Sequence, residues 1–342
     1  VDTIHPHPTM SEALLEAGRL AESIELIQVT ERAGTVLTNE TFSDYRGEDY
    51  ERVLCHTLAA LNFLALGDLQ AAQVECRRAE EVHKKIRALR EGPDRLNAFA
   101  LYLSGLCYEL AGQPNDALID YKACWELAPG FPPLPDHLLS LTKRLGMSQE
   151  HKEWKTRFGR DAAPVPPGTG EVVVLLEAGL APRKLPGGVL GILPRLERVP
   201  ALTASGRLLV DEVPAADTQV LNDVADWAEA THRERETLLL AKRAAILAGK
   251  ELIAHQVEER HGDLWGWATR FFLYSLEKPD LRHWRTLPAS FQACRVRVAA
   301  GTHALLLQPV DPAGAPAAEP VLFPAVEVAE GRVVVLIARS VQ

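Results

Sequence analysis

The chain has 342 residues, 47% of them hydrophobic and 24% charged, so it can bury sizeable cores and its length suggests two domains rather than one. Its formal charge of -9 argues against a nucleic-acid surface, where a basic patch is needed. No run of about 18 apolar residues occurs, so the sequence predicts no transmembrane helix.

The chain starts at Val1 rather than Met, which is expected of a processed or trimmed N-terminus. VDTIHPHP reads as a tail, because its prolines defeat helix. His5 and His7 in it read as polar tail rather than as a metal pair. Ser11–Thr35 has apolar residues at three- and four-residue steps and predicts helix, with a turn at Gly18. After a loop over Asn39–Gly47, a helix is expected from Tyr50 to Leu66, stopped by Gly67. Asp68 starts another, reaching about Arg90 and ended by Gly92-Pro93-Asp94. Arg77, Arg78, His83, Lys84, Lys85, Arg87 and Arg90 make that helix basic, which reads first as a solvated face.

Phe99–Phe131 predicts two helices and a turn. Gly105 and Ala117 allow a close crossing, Tyr108 and Tyr121 fill the space beside it, Gly112 ends the first helix, and Pro129-Gly130 stop the second. This pattern resembles the tetratricopeptide (TPR) repeat. Leu101 and Ser104 replace the Trp and Leu usual near its start, and Cys124 stands where a second Ala is usual. Ala60, Phe63, Gly67, Ala72 and Ala79 repeat the offsets of Gly105, Tyr108, Gly112, Ala117 and Cys124. The two turn glycines are too far apart for regular tandem copies. Asp136–Leu145 fits a capping helix, and His151–Arg160 continues it. The Pro/Gly-rich stretch Asp161–Gly170 reads as the boundary between an α-helical repeat domain over 9–160 and an α+β domain over 171–342.

Beyond it the character changes. Glu171–Leu176 is a β-branched run and predicts a buried strand; Ala178–Lys184 predicts a turn bearing two cations. Further strands are expected at Val189–Leu193 and Leu208–Val213, then helix from Asp217 to about Arg260 and a short helix around Trp265–Leu276. Trp265 and Trp267 are expected to pack between helix and sheet. Strands return at Ala293–Ala299, His303–Gln308 and Arg332–Ala338, with Gly301 closing a hairpin and Asp311–Pro320 as a loop. The fold class is therefore α+β and multidomain: a TPR-like helical half, then a mixed α+β half with a β-rich C-terminus.

The segments GEDYERVLCHTLAALNFLALGDLQAAQVECRRAEE, EVVVLLEAGLAPRK and DLRHWRTLPASFQACRVRVAAGTHAL carry a second resemblance. Together they resemble an uncharacterised family of bacterial envelope proteins, many of them lipoproteins, which pair a TPR-like region with this C-terminal region. The resemblance runs from about Gly47 onward. It implies a periplasmic or outer-membrane-associated location, with a cytoplasmic one as the alternative. It also implies a lipid anchor, although no lipidated N-terminal Cys is present here.

No GxSxG, HExxH or phosphate loop occurs, and Gly168-Thr169-Gly170 precedes a strand rather than a helix. His255 and His261 lie six apart on one helix and face different ways. The five cysteines, Cys55, Cys76, Cys107, Cys124 and Cys294, show no CxxC spacing and read as buried hydrophobes. Neither catalytic residue, metal nor cofactor is assigned. The expected function is a non-enzymatic scaffold or adaptor binding a protein partner across the helical surface, through Asn62, Gln73, Arg77, Tyr102 and Asn115. Arg183, Lys184, Trp284 and Arg285 are further candidate contacts, with Trp284 weighed also as a core plug. The alternatives are an envelope-acting hydrolase, for which Asp280, His283 and Arg285 form the nearest cluster, and a structural subunit of an envelope assembly.

Overall fold

The computed structural model describes residues 45, 47–88, 97–187, 193–275 and 279–341. The His5/His7 tail, the Ser11–Thr35 helix, Arg90, the 92–94 break and most of the expected strand at Val189–Leu193 lie outside the described residues.

Six helices come first: α1 (Asp49–Ala65), α2 (Leu69–Ala88), α3 (Ala98–Leu110), α4 (Pro114–Leu127), α5 (Pro133–Arg144) and α6 (Ser148–Phe158). Local chemistry sets their ends. Gly67 and Gly112 take φ of +76° and +73°, the left-handed stop that glycine adopts without a Cβ penalty. The Asn97 side chain caps α3 by accepting from Ala100 N at 3.0 Å, and Pro114 opens α4. Consecutive helices pack on one another. The crossing of α3 and α4 is close because Gly105 has no side chain: a Cβ there would lie 2.7 Å from the Tyr121 ring.

The strands follow. Sheet A has the order β10-β1-β7-β6, from β1 (Thr169–Ala178), β6 (Gln219–Asp223), β7 (Ser290–Ala299) and β10 (Val333–Ser340). β1 runs parallel to β10 and antiparallel to β7. Sheet C has the order β5-β4-β8-β9, from β4 (Ser205–Val210), β5 (Val213–Asp217), β8 (Gly301–Val310) and β9 (Val321–Val328). A two-stranded ribbon pairs β2 (Arg183–Gly187) with β3 (Leu193–Glu197). Helices α7 (Val224–His261) and α8 (Asp263–Ser275) come between β6 and β7.

Period-two alternation assigns the two faces of sheet A. Val173 and Leu175 join the helical core, whereas Val172, Val174 and Leu176 join Leu208, Leu305, Leu307 and Phe323 of sheet C. Sheet A is thus the middle of three layers, helices on one side and sheet C on the other. Both of its faces are dry, which is why β1 reads as an unbroken apolar run. Phe99 of α3 and Phe291 of β7 meet with ring centroids 4.8 Å apart. The change of structure at 161–170 therefore falls within one continuous core that spans both halves.

Several expectations are corrected. The helix expected from Asp217 begins at Val224, because β6 pairs with β7 and Asp223 caps α7 by accepting from Asp226 N at 2.9 Å. Leu208–Val213 is split by a two-residue turn at Asp211-Glu212, both at positive φ, which folds β5 back on β4. Arg183 and Lys184 lie in a strand, not a turn. β9 was not expected, because Pro324 interrupts its apolar run. Gly301 joins β7 of one sheet to β8 of the other instead of closing a hairpin. Trp265 and Trp267 are 62% and 64% exposed: α8 packs on α7 rather than on a sheet.

Candidate functional site

Among the described residues a concave feature lies along β10. It is an apolar groove of about 840 Å³. Val333–Ile337 form its floor, Leu64–Gly67, Leu69 and Leu110 the wall on the helical side, and Phe323–Glu327 with Ala329 the wall on the β9 side. Its volume falls in the range of binding pockets, roughly 300–1,000 Å³. It exists because β10 is the edge of the middle layer, flanked by two layers that reach past it. Val333, Val335 and Ile337 pack against the helical core, and Val334, Leu336 and Ala338 against the core of sheet C.

A partly buried charged cluster lies where α3, α5 and sheet A meet. The Arg295 side chain, 4% exposed, donates to Glu109 at 2.7 and 2.8 Å and to Glu171 at 2.7 Å. Tyr121 Oη donates to Glu109 at 2.6 Å. His137 donates from Nδ1 to Pro133 O at 2.6 Å, leaving Nε2 4.0 Å from Glu171. Burial alone would raise the Glu109 carboxyl, but the hydrogen bonds and charge of Arg295 outweigh it and hold the group at about 2. Burial, then the charge of Arg295, lowers His137, so the imidazole is neutral. Glu109, His137 and Glu171 each bring one ligand atom within 4.8 Å of the others, a spacing that a cation could use. Arg295 already supplies positive charge to both carboxylates, so the cluster acts as a tie between layers.

A second tie joins the start of α1 to the C-terminal half. Glu51 accepts from Glu48 N at 2.8 Å, from Tyr45 Oη at 2.5 Å and from Trp284 N at 2.7 Å. Lys184 pairs with Glu48 and donates to Arg282 O at 3.0 Å. A cation near a helix N-terminus is normally unfavourable; here the two glutamates reverse the local sign.

The sequence-derived contact residues do not converge. Tyr102 is 1% exposed and Lys184 7%, so neither is a surface residue: sheet A covers α3, and Lys184 is taken up by Glu48. Gln73 is buried and donates to Gln113 at 2.8 Å, between the two hairpins. Arg77 is exposed with Tyr108 Oη at 3.4 Å, Asn62 is half-buried and Asn115 exposed. Arg183 is exposed and pairs with Glu197. Trp284 is partly buried against the core, its Nε1 donating to Thr286 at 2.7 Å, while Arg285 is exposed. Of the cluster considered for a hydrolase, Asp280 is taken by Arg282 and His283 by Leu281 O. All five cysteines are buried and none forms a disulfide. Among the described residues no helix is long and apolar enough to cross a membrane.

The groove was missed because strand order is not local information. The apolar run at 333–338 signals a strand with two covered faces, but not one with an open edge. No protein-family model matches the chain, and none of the curated proteins matches it.

Proposed function

We propose that this protein is a non-enzymatic scaffold or adaptor that holds a protein partner. The observation that carries this reading is the apolar groove along β10, open to solvent and walled by residues from two layers. A groove of that lining gains from excluding water from an apolar ligand, by about 25 cal/mol per Å² buried. We read the helical half as TPR-like. The equivalent turn glycines Gly67 and Gly112, the fully buried Ala72 and Ala117, and the close Gly105–Tyr121 approach support that. The bacterial envelope location rests on the resemblance of the segments from Gly47 onward.

Site-specific photo-cross-linking of the full chain tests the reading. A benzophenone side chain at Leu66, on the groove wall and 39% exposed, is expected to trap a discrete protein in the native membrane fraction. The same probe at Asn115 tests the helical surface. Trapping from neither position counts against an adaptor.

A further inference from the structure

We infer that β10 is a strand-addition site: an extended, mainly apolar segment of a partner protein pairs with the edge that no described strand covers and adds a strand to sheet A beside β10. This rests on the adaptor reading above and specifies how the partner is held.

The backbone geometry comes first. Glu171 N donates to Arg332 O at 2.9 Å, and Gly179 N donates to Ser340 O at 2.7 Å. In a strand the N–H and C=O of one residue point to one side and those of the next residue to the other. The even-numbered residues of β10 therefore face β1. Val333, Val335, Ile337 and Arg339 aim their backbone donors and acceptors at the open edge. No described strand pairs with them.

The contrast with the other edges is the second observation. An unpaired edge invites aggregation, and proteins blunt it with proline or a bulge. β2 carries Pro186 and β3 Pro194; β5 carries Pro214 and borders a bulge; β9 carries Pro324 and borders a bulge; β6 borders a bulge. β10, with VVVLIARS, has neither device. Every other described edge is blunted, and the one left regular is also the one that floors the groove.

The same walls choose the occupant. A second copy pairing edge to edge would bring its own α1–α2 turn and β9 against those of the first, because β10 is recessed between them. A single strand fits such a slot. Its side chains would alternate, one set meeting Leu64, Leu66 and Leu110 and the other meeting Phe323 and Val326. Both walls are mostly apolar, with Glu327 the one charged lining residue among those described, so the fitting segment is mainly apolar on both faces and rich in β-branched residues.

The probe is a display library of random peptides about a dozen residues long, selected on the full chain. The tightest binder is resynthesised with single N-methyl groups at successive backbone positions. Affinity is expected to fall about tenfold or more at every second position only, where the N–H faces β10. Val335→Pro removes an outward N–H without touching the β1 ladder, and the same loss with an unchanged melting temperature is expected. If that variant unfolds, the methylation series still decides. Uniform tolerance of methylation, or sensitivity at helical spacing, overturns strand addition while leaving the adaptor reading standing. A library without binders overturns the inference too, and cross-linking from Asn115 then tests the adaptor reading separately. Concentration-dependent dimerisation that Val335→Pro abolishes would make the occupant a second copy and also sink the proposal.

Discussion

Arg295 on β7 holds Glu109 in the last turn of α3 through two hydrogen bonds of 2.7 and 2.8 Å, one to each carboxylate oxygen. This fork joins the middle sheet to the helical layer. Arg295→Met should cost about 3–5 kcal/mol, because it strands two carboxylates in a mostly dry junction. The double variant Arg295→Met, Glu109→Gln should recover part of that loss. Urea unfolding of the three proteins measures both. A loss under about 1 kcal/mol would mean that water already solvates the network.

The same pair sets an acid limit. Glu109 titrates at about 2 in the folded chain, below its ordinary carboxylate value. Its contribution is therefore complete above about 4.3, where the unfolded carboxylate titrates, and is lost as pH falls towards 2. His137 is lowered in the fold, so the unfolded chain takes its proton first and stability begins to fall earlier, from about pH 6.5 downward. Melting temperature against pH should show both descents. Glu109→Gln should flatten the lower one; an unchanged acid limb would remove Glu109 from the account.

Asp120 acts in the opposite direction. Its Oδ2 is buried without a hydrogen-bond partner, and burial pushes the carboxyl up to about 6 against the help of Ser104. A folded value above the unfolded one makes the ionised group a burden at neutral pH, relieved as pH falls from 6 towards 4. Asp120→Asn should stabilise by on the order of 1–3 kcal/mol at pH 7.5, with the gain shrinking below pH 6. A destabilised variant at pH 7.5 would show that the charge has a partner.

Gly105 tests the helix crossing. Its missing Cβ leaves room for the Tyr121 ring, which is fully buried and cannot swing away. Gly105→Ala should cost about 1–3 kcal/mol by overpacking, although alanine is the better helix former. Thermal unfolding measures it. A neutral result would mean that α4 can slide along α3.

The helices were legible because their boundaries are local: Gly67, Gly112, Pro114 and Asn97 act on their own turns. So were β1 and β10, whose apolar runs report two covered faces, and β7, in which Cys294, Val296 and Val298 alternate with Arg295 and Arg297. β5, β6 and β9 were not, since Pro214, Pro324 and the polar Gln219–Asp223 argue against strand until a neighbour pairs with them. The burial of Tyr102 and Lys184 was not legible for the same reason. Helix position makes Tyr102 look accessible, but only the docked sheet shows that α3 is covered, and only strand order shows that β10 has an open side. Trp284, weighed as a plug, does pack on the core, though incompletely.

The parallel pairing of Glu171–Ala178 with Val333–Ser340 has a consequence for synthesis. On the ribosome, β1 emerges long before its partner, and its apolar edge stays unclaimed until β10 is translated. Contacts so distant in sequence form late and slowly. The groove comes into being only when β10 docks on β1, so nothing can occupy it before that late strand is in place.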